Sequence, residues 1–218
     1  MDRSKASARS KIVRGPKRAH YDEETLYEVL DDGFMCHVSY LYEGSPIIIP
    51  TAYARKGNTI YIHGAAKNRM MNSVLNQGQA CVAVTHLDGM VLARSAFHHS
   101  FNYRSAVVFG MPVKVEDEKE KNDVLKLITD NIIPDRWDEV REPSKKELKA
   151  TLVIGIEIEE ASVKIRSGAP VDDDADYDLP IWAGELPMRQ AFQNPIKDSK
   201  FSQELSVPQS VLNVLKKE

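Results

Sequence analysis

At 218 residues, 42% hydrophobic and 28% charged with a net charge of −3, the chain is long enough for one domain with a genuine core. That balance gives no global attraction for nucleic acid or anionic membranes, and no apolar run approaches the ~20 residues of a membrane span. The two cysteines, Cys36 and Cys81, each sit inside an apolar run, which argues against a disulfide framework and for buried thiols.

The chain divides into a basic leader (1–20), a folded domain (21–187) and a polar tail (188–218). In the leader, Arg3, Lys5, Arg9, Lys11, Arg14, Lys17 and Arg18 face only Asp2 amid Ser and Ala, so the segment cannot bury a core of its own. It is expected to be flexible or laid over a surface. An acid-poor, Arg- and Ser-bearing start is also the composition of organellar targeting segments, but no amphipathic stripe runs through it, and a cytoplasmic location is expected.

Asp22 is an N-cap for a helix carrying Leu26, Val29 and Leu30, stopped by Asp32-Gly33. Phe34 to Tyr42 reads as a strand, Glu43-Gly44 as a turn, and Ile47 to Arg55 as a returning strand with Pro50 in its middle. Proline cannot donate to a ladder, so this strand must be at an edge, bulged, or open to a ligand there. Lys56-Gly57-Asn58 then turns the chain into Thr59 to His63, completing a three-stranded meander.

From Ile60 to Leu75 the sequence IYIHGAAKNRMMNSVL predicts a buried strand, a tight turn of small residues, and a helix presenting Met70, Met71, Val74 and Leu75. Lys67 and Arg69 fall in the expected first turn of that helix. Cations there oppose the dipole, whereas unpaired N–H groups and positive charge together suit an anion, most simply a phosphate.

Beyond Gly78, Ala80 to His86 is a buried strand turned by Asp88-Gly89, Met90 to Arg94 a short strand, and Tyr103 to Val115 a long one with a bend at Gly110. A helix over 117–131 and a capping box, Ser144 with Glu147, precede a strand pair, Thr151 to Glu159 and Ser162 to Arg166. Asp172 to Leu179 reads as a solvated acidic loop. Val211, Leu212, Val214 and Leu215 form one amphipathic turn in the tail. Six or seven strands joined by tight turns, with helices inserted rather than alternating, favour an antiparallel β-barrel.

The chain has no GxSxG, HExxH, Walker or CxxC motif. Among the histidines, His63 at the strand end beside the anion turn is best placed for chemistry, either as a proton donor or substrate anchor or as a capped structural residue.

Taken in order, DDGFMCHVSY (31–40), IIIPTAYAR (47–55), IYIHGAAKNRMM (60–71), VLARSAFHHSFNYRSAVVFG (91–110), ELKATLVIGIEIEEASVKIRSG (147–168) and DLPIWAG (178–184) resemble the FMN-binding split-barrel family of pyridoxamine 5′-phosphate oxidases, and within it the nitroimidazole-resistance (Nim-type) subgroup. The resemblance implies a homodimer with FMN across its interface, with Lys67 and Arg69 on the phosphate. It implies Pro50, Thr51, Ala52 and Tyr53 along the flavin ring, Arg104 and Ser105 as polar contacts, and Trp182 reaching the cofactor from the partner subunit. His63 matches the position beside the flavin and substrate. The implied activity is a flavin-dependent reduction of a small organic substrate, with electrons from a reduced nicotinamide or another donor. After Trp182 the chain reads AGELPMRQAF, without the arginine-histidine segment that clamps the substrate phosphate in vitamin B6 oxidases, so that activity is not expected. A non-catalytic module binding FMN or haem, with His37, His63 or His99 on the iron, is the alternative.

Overall fold

The structure, a computed structural model, describes residues 6–200 and 205–216. The leader's first five residues and residues 201–204 and 217–218 of the tail lie outside them. In chain order the elements are β1 (Ala19–His20), α1 (Glu23–Asp31), β2 (Met35–Tyr42), β3 (Ser45–Lys56), β4 (Thr59–Ala65), α2 (Arg69–Gln77), β5 (Ala80–Leu92), β6 (Ser100–Lys114), α3 (Glu118–Ile132), α4 (Lys145–Ala150), β7 (Thr151–Arg166), β8 (Gly184–Pro187) and α5 (Gln209–Leu215).

The strands form one antiparallel sheet in the order β1-β7-β4-β3-β2-β5-β6, and β7 also pairs with β6, which closes the sheet into a barrel. The mainly β, split-barrel class expected from the sequence is the one observed, with eight strands. The two short ones, β1 on β7 and β8 on β5, gave no alternating pattern long enough to read.

Several elements form for the reasons their residues suggest. The Asp22 side chain accepts from the Thr25 amide at 2.8 Å at the start of α1, and the Ser144–Glu147 capping box opens α4. Glu43 and Gly44 both adopt positive φ, the twist a tight hairpin between β2 and β3 requires. Leu26, Val29 and Leu30 of α1 pack into the barrel with Val38, Tyr53, Ile60, Ile62, Met71, Val82, Val108 and Ile154. A smaller cluster under α3 joins Val124 and Ile128 to Ala54, Val115 and Val153.

Two expected breaks are not breaks. Asp88-Gly89 does not turn the chain: β5 runs through it with a register shift between Leu87 and Gly89. The glycine is needed because a Cβ at that position would sit 2.9 Å from the Leu186 carbonyl oxygen of β8. The expected pair over 151–166 is likewise one strand, β7, whose first half pairs with β4 and most of whose length pairs with β6. Gly110 behaves as expected: the β6–β7 register shifts at it, and a Cβ there would lie 2.1 Å from the Glu157 carbonyl oxygen.

The described part of the leader is laid on the barrel. Arg9 donates to Glu160 at 3.0 Å and stacks 4.8 Å from the Phe109 ring centre, with Ser7 also on Glu160. The acidic loop is only partly solvated, because Asp172 is buried and accepts from the Arg94 and Ser95 amides and from the Arg94 guanidinium. In the tail, α5 is tied to the domain by the Ser210 amide donating to Glu139 at 3.0 Å. Among the described residues, no helix is long and apolar enough to cross a membrane.

Candidate functional site

The barrel is split where β3 leaves β4. β3 pairs with β2 from Ser45 to Ala52, but it meets β4 only from Tyr53↔Ile62 to Lys56↔Thr59. From Ser45 to Ala52 its second edge therefore has no strand partner. The Tyr53 amide donates to the Phe34 carbonyl at 3.1 Å, toward β2. Backbone groups alternate in direction along an antiparallel strand, so those of residues 48, 50 and 52 face the open edge. Pro50, which lacks an N–H, occupies one of these positions and forfeits no ladder bond.

Across the opening stands His63, one residue past the last β3–β4 pair and half-buried. Its Nδ1 atom is buried with no hydrogen-bond partner, and burial lowers its pKa, favouring neutral imidazole. An orphaned buried polar atom costs about 1–3 kcal/mol, so a ligand that bonds to it gains a partner already desolvated.

The chain leaves β4 through Gly64, Ala65, Ala66 and Lys67 into α2. The expected first helical turn is displaced: α2 starts at Arg69, Asn68 is its N-cap, accepting from the Met71 amide at 3.1 Å, and Lys67 lies in the preceding turn. Asn68 was the readable signal, since asparagine is a preferred cap. Lys67 is exposed and has no ion-pair or hydrogen-bond partner among the described residues. Arg69 is already engaged: its guanidinium lies 4.4 Å from the Tyr42 ring centre, and hydrogen bonding to Tyr40 raises its pKa.

The other expected contacts are distributed differently. Thr51 is half-buried opposite Cys36, and Ala52 is half-buried opposite Met35. Tyr53 is fully buried, its hydroxyl donates to the Leu30 carbonyl, and its own carbonyl accepts from Asn131 at 2.9 Å. No polar group of Tyr53 is left for a ligand.

Every guanidinium nitrogen of Arg104 is bonded: Nε and Nη2 donate to Asp88 at 3.1 and 2.9 Å, and Nη1 to Asp32 at 2.7 Å. Two carboxylates push its pKa up. Ser105 is half-buried opposite Thr85 and Lys164, on the other face of the sheet from Arg104. Trp182 is 69% exposed on the loop entering β8, its ring close against Gly184. Thus Pro50 and Ala52 on the open edge of β3, His63 on β4 and Lys67 in the turn after β4 keep groups unbonded among the described residues, while Tyr53 and Arg104 are held by the fold.

A sequence family described as pyridoxamine 5′-phosphate oxidase matches residues 22–165. No curated protein matches the chain. Among solved structures, the flavocytochrome Anf3 from Azotobacter vinelandii is 35% identical, with a TM-score of 0.89 over 95% of this chain and 97% of that one. The FAD and haem binding protein from Mycobacterium smegmatis is 32% identical, with a TM-score of 0.84 over 90% and 97%. A putative 5-nitroimidazole antibiotic resistance protein from Bacteroides thetaiotaomicron, 18% identical with a TM-score of 0.58 over 67% and 86%, shares the fold.

Proposed function

The chain belongs to the pyridoxamine 5′-phosphate oxidase family, and from that premise we propose that it is a flavin-dependent oxidoreductase, working as a homodimer and carrying haem besides the flavin. The observation that carries the flavin site is the pairing of an unpartnered β3 edge with a buried, unbonded His63 nitrogen across a few residues of open strand. A flat heteroaromatic ring with polar edges fits that opening: backbone groups of residues 48–52 meet its donors and acceptors, and Pro50 and Ala52 supply apolar contact. Lys67, with no internal partner, takes the phosphate, and Arg69 supports it from the start of α2.

The phosphate contact is common to FMN, the form expected from the sequence, and to FAD, the form named for the 32% identical protein. Haem enters because the 35% identical structure is a flavocytochrome and the 32% identical one a FAD and haem binding protein. Bound flavin supplies two-electron chemistry with a nicotinamide donor and a small organic acceptor. His63, neutral at physiological pH, orients the flavin or substrate by hydrogen bonding.

The test is anaerobic addition of NADH or NADPH to the flavin-loaded protein. Bleaching of the flavin bands supports an oxidoreductase, and a flavin that binds but stays oxidised with every donor points to a non-catalytic carrier. Mass spectrometry of the released flavin distinguishes FMN from FAD.

A further inference from the structure

Outside the opening, an apolar stripe crosses the barrel near β8. Phe101 of β6 stands directly opposite Met90 of β5, and Met90 directly opposite Leu186 of β8, so the three side chains share one face. Phe101 and Leu186 are 52% and 53% exposed, and Phe97, in the irregular segment before β6, is 87% exposed. Nothing among the described residues covers them.

His99 lies one residue before β6 and two before Phe101. Its Nδ1 is 2.9 Å from the Ser95 carbonyl oxygen. A carbonyl can only accept, so Nδ1 carries the proton and Nε2 is left with a free lone pair on an exposed residue. Imidazole metal ligands take this form: one nitrogen donates to a carbonyl, which fixes the tautomer and orientation, and the other binds the metal. Ser95 is itself fixed, because its hydroxyl accepts from the His98 amide at 3.3 Å.

The other histidines lack this combination; His20, half-buried in β1, has no ring nitrogen bonded to a carbonyl among the described residues. His86 spends Nε2 on the Val29 carbonyl at 2.8 Å, and His98 faces Asp173 at 3.5 Å. His63 has its Nδ1 buried without the anchoring bond. His37 is exposed but has no protein partner among the described residues to set its tautomer.

We propose that His99 Nε2 is the axial ligand of a haem iron, with the porphyrin lying over Phe97 and Phe101 and the Met90–Leu186 stripe. This rests on the haem part of the reading above and adds to it a ligand and an apolar bed. The site is separate from the flavin opening in its residues, so each cofactor can be lost without the other.

The experiment is a haemin titration of the purified full-length chain, followed by the Soret band and by electron paramagnetic resonance. Wild type is expected to give a saturable, shifted Soret band with an imidazole-ligated signature. His99→Ala should lose that signature and bind at least about tenfold more weakly. Imidazole added to His99→Gly should restore the band, while His37→Ala leaves it unchanged. A wild type that binds haemin with His99→Ala spectrally identical to it overturns the ligand assignment and leaves haem binding standing. A wild type that shows no saturable band overturns the haem reading and this site with it.

Discussion

The closed and open sides of the barrel use similar residues to opposite ends. On the closed side, Arg104 of β6 is bonded through every nitrogen to Asp88, in the β5 bulge, and Asp32, just past α1, joining three elements with one charge. On the open side, Lys67 sits in the turn after β4 with no counter-charge among the described residues, β3 from Ser45 to Ala52 has no second strand partner there, and the His63 Nδ1 atom has no hydrogen-bond partner. A cation without a partner among the described residues, in the turn that follows the strand carrying an unbonded buried imidazole nitrogen, suits an anionic, planar ligand at that opening. Charge at one side is a fastener, and at the other a receptor.

That contrast can be attacked at both sides. The largest effect belongs to the closed side, at Gly110→Ala. A methyl group there meets the Glu157 carbonyl at 2.1 Å, so the β6–β7 seam must shift. We expect a loss of roughly 3 kcal/mol in denaturant unfolding. An unaltered midpoint would mean that the seam is softer than its contacts imply.

Next comes Lys67→Ala on the open side. It should weaken flavin affinity by about 2 kcal/mol, roughly thirtyfold in Kd, and leave the melting temperature of the flavin-free protein in place. Arg104→Ala should show the reverse pattern. Stability should fall by about 1 kcal/mol, a value held down because the pairs are partly open to solvent, with flavin affinity retained. A large loss of affinity in that variant would return Arg104 to the flavin site and blur the contrast between the two sides.

The smallest effect is a pH dependence at His63. Burial lowers its pKa in the folded state, so the unfolded chain takes up a proton more readily. The stability associated with the neutral ring is present above the unfolded value of ~6.5 and is lost as the pH falls below it. Unfolding measured between pH 7 and pH 5 should show a steeper decline for wild type than for His63→Gln, and parallel curves would remove the desolvated imidazole from the account.

Much of this was legible because it is local. The cap at Asp22, the hairpin at Glu43-Gly44 and the capping box each depend on neighbours a few residues away, and all three form; the bend expected at Gly110 also forms, although the carbonyl that requires a glycine there belongs to Glu157. Pro50 predicted an edge or an opening, and β3 has one. The misreadings came from partners far along the chain. Asp88-Gly89 has the sequence of a turn, and only the approach of β8, almost a hundred residues later, makes it a bulge. The carboxylates that bond Arg104 were equally out of reach of the sequence, one of them being 72 residues distant. The leader was readable as coreless and as either flexible or laid over a surface, but not the residue that holds it, since Glu160 lies 151 residues from Arg9. The position of Lys67 just outside α2 turned on whether Asn68 or the residues before it would cap, a choice settled by the Met71 amide.

The measurement closest to the central claim is a flavin titration of the purified protein beside the Lys67→Ala, Arg69→Ala double variant, read by the visible spectrum and fluorescence quenching. The account predicts that wild type takes up flavin to saturation, and that the double variant, folded to the same melting temperature, releases it. A wild type indifferent to both FMN and FAD, or a double variant that binds as tightly as wild type, would contradict it.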